Sequence, residues 1–144
     1  MLDFGAFLGI CVILFRLSWT DFKYRIISNK HVLYLLPLTL LFSFSLWDHI
    51  FWFGALITLI VGFGLFHLGV IGAGDVKLLS VLMLAIPSPG IINFLFFTSL
   101  FGLGLIIVGW IFFRRAIKEQ GLPYGIAISL GFISFFYLIF TSFM

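Results

Sequence analysis

The charged residues of this chain are confined to a few short stretches, and between them run apolar segments that a small soluble domain could not bury. The apolar segments are 2–20, 31–47, 50–71, 76–86, 91–113 and 124–143. Only 9% of the 144 residues are charged and 63% are hydrophobic, whereas roughly a quarter of the residues of an ordinary globular domain are charged. The medium that accepts such segments is a lipid bilayer. An outer-membrane barrel would alternate polar and apolar residues over about ten positions per strand, and this chain does not. The expected fold is therefore all-α: a single polytopic membrane domain over residues 1–144 with about six transmembrane helices.

The N-terminal segment does not read as a cleaved secretory signal. Its first basic residue, Arg16, stands at the wrong end, and no small-residue cleavage site follows. It is expected to remain as a helix. Cys11 alone gives neither a disulfide framework nor a zinc site. With six crossings, Lys23, Arg25, Lys30, Lys77, Arg114, Arg115 and Lys118 all fall on one side of the membrane, and the other side carries no Lys or Arg. The positive-inside rule puts that basic side in the cytoplasm, with both termini outside. The net charge of +3 thus reports topology and no nucleic-acid partner.

The same topology sorts the acids. Asp3 and Asp48 fall on the outer side, and Asp21, Asp75 and Glu119 on the inner. Glu119 follows Arg115 by four residues, the spacing of an exposed helical ion pair. Asp21 and Asp75 remain as the carboxylate pair, each at the end of an apolar segment. The fourth segment has eleven residues, about 16 Å of helix, against a hydrocarbon core about 30 Å thick. Either residues 72–75 or residues 87–90 must then dip inward. Gly72 and Gly74 suit a recessed turn because they adopt conformations other residues resist and admit close neighbours.

Two adjacent carboxyls cannot both ionise easily, so the pair can share one proton near neutral pH. The ionised member then takes a proton from water, while the protonated one donates to a carbonyl and later to a leaving amine. This chemistry needs no metal or other cofactor. Taken singly, the residues have blander readings. Asp21 fits a helix end, Gly-x-Gly-Asp fits a turn with Asp75 as the N-cap, and Lys77 fits the positive-inside pattern. His67 fits a neutral core histidine bonded to a neighbour better than a proton relay.

Three segments together resemble the type IV prepilin peptidases, membrane aspartyl peptidases with a Gly-x-Gly-Asp motif. Asp21-Phe-Lys-Tyr-Arg-Ile-Ile-Ser-Asn29 is similar to the family's first catalytic segment, with Ser28 where Pro is common. Gly72-Ala-Gly-Asp-Val-Lys-Leu78 is similar to the second, and Leu122-Pro-Tyr-Gly-Ile-Ala-Ile128 to the segment before the last helix. The resemblance implies removal of the basic leader from prepilins or pseudopilins at the cytoplasmic face, alongside pilus or secretion assembly machinery. Asp21 and Asp75 would be catalytic, while Gly72, Gly74, Lys77, Asn29, Pro123, Tyr124 and Gly125 would shape the site.

Only twenty residues precede Asp21. Bifunctional members carry a longer N-terminal segment, so the expectation is peptidase without N-methyltransferase activity, as in the small tight-adherence (Flp-type) enzymes. Two rivals stand beside this reading. A presenilin-like intramembrane protease would set its first aspartate in a different local motif. A non-enzymatic transporter or assembly subunit with proton-carrying aspartates would leave residues 122–128 unexplained.

Overall fold

The structure, a computed structural model, describes residues 2–143, and among them there is no β-strand. Seven α-helices follow in order: α1 (Leu2–Tyr24), α2 (Asn29–Trp47), α3 (Trp52–His67), α4 (Ala73–Met83), α5 (Ile91–Phe112), α6 (Arg114–Gln120) and α7 (Tyr124–Phe143), with a 3₁₀ turn at Ser88–Gly90 before α5. Four helical stretches are long and apolar enough to cross a membrane: Asp3–Tyr24, Asn29–Trp47, Ser88–Phe112 and Tyr124–Ser142. Trp52–His67 is apolar but shorter. Of the about six spans expected from the sequence, four are long enough, and α3 and α4 fall short in length.

Several boundaries differ from expectation for identifiable reasons. Helix α1 runs one turn past Thr20 and takes in Asp21; it stops where Arg25 enters the left-handed region at φ 57°. Helix α3 ends at His67, four residues early, because Gly69 turns the chain at φ 75°. Residues 114–120, expected to be a polar loop, form α6, and its exposed face carries the Arg115–Glu119 pair at 3.9 Å. Ser28, the departure from the usual Pro, caps α2: its hydroxyl accepts from the Lys30 N–H at 3.3 Å.

Helix α4 is central, packed on α3 and also against α2 and α7, while α1 lies on α2 and α7 and α5 lies along α7. Its inner residues Leu78, Leu82 and Met83 are buried. The bundle is sealed by aromatic side chains, with Phe42 and Phe132 each packed against Phe136 at centroid distances of 4.9 and 4.8 Å. Helices α5 and α7 approach so closely that a Cβ on Gly131 would lie 2.9 Å from the Thr98 backbone. Small residues permit such crossings where lipid removes the hydrophobic drive between helices. Outward-facing residues such as Phe53 and Ile92 are exposed around the bundle, as lipid contact requires.

Neither of the two segments anticipated to dip inward is enclosed, since Ser88 and Pro89 are exposed as well as Gly72 and Ala73. The buried irregular backbone is residues 84–86, expected as the end of the fourth helix, which stops at Met83. Leu84, Ala85 and Ile86 are enclosed. Buried backbone outside a helix must find other partners. The Leu84 carbonyl accepts from the Ser43 hydroxyl at 2.9 Å and from the Phe51 N–H at 3.1 Å. The same hydroxyl lies 2.7 Å from the His49 carbonyl. Asp3 and Ser45 bond at this end. The basic segments gather at the other.

Candidate active site

Asp21 lies in the last turn of α1 with 6% of its surface exposed. Its Oδ2 accepts the Gly125 N–H at 2.9 Å. Gly125 is in the first turn of α7, where backbone N–H groups have no intrahelical acceptor and the helix end is electropositive. A carboxylate is the natural partner for such an end. The approach needs glycine, because a Cβ at position 125 would stand 2.7 Å from Asp21 Oδ2. Pro123, buried just ahead of the helix, and the half-buried Tyr124 complete this corner. The Tyr124 ring rests on Gly102 of α5, and its phenol is within electrostatic reach of Asp75.

Asp75 is the third residue of α4, and the N-cap is Gly72. The blander reading of Asp75 as the helix cap is therefore excluded. An acid at the third helical position instead folds back toward the cap's N–H, and the Gly72 N–H favours the charged form of Asp75. Asp75 lies outside the four long spans. Burial, and then the negative charge of Asp21, push its carboxyl up from 3.8 to about 6 against that N–H. The two aspartates, from separate helices, thus lie within electrostatic reach of each other.

The glycines of this motif serve proximity and not unusual backbone geometry. Gly72 is extended, at φ −78° and ψ 150°, and Gly74 is helical. A Cβ on Gly74 would meet Ile27 Cβ at 2.9 Å. Ile27 also lies 3.2 Å from the Cβ position of Gly125. One side chain therefore touches both glycine motifs and ties them to the segment after Asp21. Lys77 Nζ donates to Asn29 Oδ1 at 3.1 Å on the exposed rim, joining the start of α2 to α4.

The structure thus brings Asp21, Asp75, Gly72, Gly74, Tyr124 and Gly125 around one locus, with Pro123 beside it and Asn29 and Lys77 at its edge. His67 lies apart: it is exposed at the end of α3 with its ring edge-on to Phe63 at 4.5 Å, neither enclosed in the core nor near the aspartates' contacts. Among the described residues, no three His, Cys, Asp or Glu side chains form a metal-ligand set. Sequence reasoning missed Ile27 as the bridge and the enclosure of the Arg25 Nε and Nη1 atoms. The apolar Ile26-Ile27 pair between Arg25 and Ser28 was the available signal for the first.

What this arrangement can do chemically is hold two carboxyls so that burial and mutual repulsion retain a proton between them. Neither a curated protein nor a solved structure matches the chain. The family model described as the type IV leader peptidase family matches residues 8–107. That span contains Asp21 and Asp75 and stops before Pro123, Tyr124 and Gly125, which join the locus through the Gly125–Asp21 hydrogen bond. The chain belongs to the type IV leader peptidase family.

Proposed function

We propose that this protein is a membrane aspartyl endopeptidase that removes the basic leader from type IV prepilins or pseudopilins at the cytoplasmic face. Asp21 and Asp75 act as the catalytic pair. The observation that carries this reading is their convergence from α1 and α4, one accepting from Gly125 and the other raised to about 6 by burial and by its partner's charge. A pair holding a single proton provides a base for water and an acid for the scissile carbonyl. The water attacks the carbonyl carbon, the C–N bond breaks, and the proton first held by the acid reaches the leaving amine. No covalent intermediate on the protein is needed.

The orientation follows from charge. Arg25, Lys77 and Arg114–Gln120 lie at the end of the bundle that holds the two aspartates, and basic loops favour the cytoplasm. The substrate's own apolar helix then lies beside the bundle, with its basic leader at the cytoplasmic surface.

Reconstitution with a prepilin tests the reading. Mass spectrometry of the product is expected to show a single new N-terminus, with the whole leader released. Cleavage inside the substrate's transmembrane helix would instead support the presenilin-like alternative. An intact substrate would support a non-enzymatic role.

A further inference from the structure

Arg16 is a cation on the outward face of a membrane span. It lies within the stretch Asp3–Tyr24, it is exposed, and it pairs with no carboxylate among the described residues. Asp3 stands at the far end of the same helix, and Asp21 is turned toward Gly125 of α7. Hydrocarbon does not accommodate a lone charge, so the guanidinium extends along the helix to a polar partner. The basic end of α1, at Tyr24, is eight residues on, about 12 Å, and the headgroup layer at that end is the nearer one.

Other groups already stand around this cation. A recess of about 570 Å³ between α1 and α2 is lined by Phe15, Arg16, Trp19, Thr20 and His31. His31, the third residue of α2, is half-buried, and its Nδ1 is enclosed with no hydrogen-bond partner among the described residues. Enclosed polar atoms in folded proteins are nearly always satisfied, so this one calls for a partner from outside the chain. Thr20 is different: its hydroxyl donates to the Leu17 carbonyl at 2.9 Å. Trp19 exposes its ring, and tryptophan collects at the level of lipid headgroups.

Phe15, Arg16 and Trp19 also line a larger groove of about 950 Å³ on the α7 side, walled by apolar residues such as Leu8, Val12, Leu130 and Ile133. Arg16 thus stands where a recess holding polar groups meets an apolar groove. A phosphate joined to an acyl chain fits both, whereas free phosphate uses only the first. We propose that Arg16, His31 and Trp19 bind one anionic phospholipid of the leaflet at the basic end. Its phosphate accepts from the guanidinium, which suits phosphate oxygens through parallel N–H bonds, and from His31 Nδ1. One acyl chain lies along α1 toward Leu8. The two head-binding side chains belong to separate helices, so the lipid ties α1 to α2 at the end that holds Asp21. The site is independent of the proteolytic reading.

The test titrates the purified full chain in detergent with phosphatidylglycerol or phosphatidylcholine of matched chains, and native mass spectrometry reads the lipid bound. The wild type is expected to bind its first phosphatidylglycerol about fivefold or more tightly than its first phosphatidylcholine, the gain typical of one cation at a lipid surface. Phosphatidylglycerol should also raise its Tm. Arg16→Gln brings the affinity ratio close to one and removes the rise in Tm, and Arg16→Lys keeps part of both. His31→Gln lowers the ratio. Arg115→Gln, which alters an exposed cation paired with Glu119, leaves it unchanged. If His31→Gln does not accumulate, the variants of the exposed Arg16 decide. No preference in the wild type, or one that survives Arg16→Gln, overturns the site. So does a preference that Arg115→Gln lowers as much, which assigns it to the charge of the whole basic end. Release of the phosphatidylglycerol by millimolar inorganic phosphate overturns the lipid in favour of a free phosphate.

Discussion

The Gly125 N–H donates to Asp21 Oδ2 at 2.9 Å across 104 positions of sequence, joining the end of the first helix to the start of the last. Nothing larger than hydrogen fits at position 125, since a Cβ would lie 2.7 Å from that oxygen. Gly125→Ala is therefore expected to push the carboxylate off its anchor. A displacement near 1 Å in a catalytic group costs about a hundredfold in rate, so prepilin shortening should fall by that order while the protein still accumulates in the membrane. Time-courses of processing check this, and unimpaired cleavage by Gly125→Ala would remove the anchor from the mechanism.

Gly74 and Gly72 should respond differently to the same substitution. A Cβ on Gly74 meets Ile27 Cβ at 2.9 Å, an atom fixed to the backbone, whereas one on Gly72 meets Asp75 Oδ2 at 3.3 Å. Gly74→Ala is expected to be the more damaging. Adding Ile27→Gly should restore part of its activity, and adding Ile27→Ala should not, because the alanine keeps the clashing Cβ. Equal effects of the two glycine variants would contradict this packing.

The acid–base pair sets a pH dependence whose sign follows from Asp75. Its carboxyl is raised to about 6 by burial and by Asp21, so the pair loses its remaining proton as pH rises past that region. Cleavage is expected to decline on an alkaline limb with an apparent pKa at or above about 6, belonging to the pair as a unit. Stability follows the same sign. The folded state holds the Asp75 proton more tightly than the unfolded chain, so its contribution is fully present below 3.8 and lost as pH rises through about 6. Asp75→Asn, which mimics the protonated form, should melt higher than the wild type at pH 7.5. That advantage should shrink toward pH 4.5, as thermal unfolding in detergent would read.

Ser43 is expected to matter for stability and not for chemistry. Its hydroxyl lies 2.9 Å from the Leu84 carbonyl and 2.7 Å from that of His49, at the end of the bundle away from the aspartates. Ser43→Ala leaves the buried turn after α4 short of a donor, a loss of about 1–3 kcal/mol. A lowered Tm with an unchanged cleavage site and pH profile is the expected result.

Much of this is legible in the amino-acid sequence alone. The partition of charge gave the membrane fold and paired Asp21 with Asp75, and the three motif segments do converge. The misses are tertiary. Residues 21–24 look like loop because two of them are polar or charged, yet α1 continues through them until Arg25 adopts its left-handed backbone. Asp75 looks like a cap because Asp often is one, yet the extended Gly72 takes that place. The roles of Gly74 and Gly125 depend on Ile27 and Asp21 arriving from another segment, which no local pattern encodes. Arg25 could not be told from Lys23 by sequence, because its burial depends on how α5 and α6 fold over it.

The most direct measurement of the central claim is co-expression of a prepilin with Asp21→Asn and with Asp75→Asn, each checked for membrane accumulation. Each variant is expected to leave the leader attached while the wild type removes it. Full shortening of the prepilin by either variant would contradict the two-aspartate mechanism.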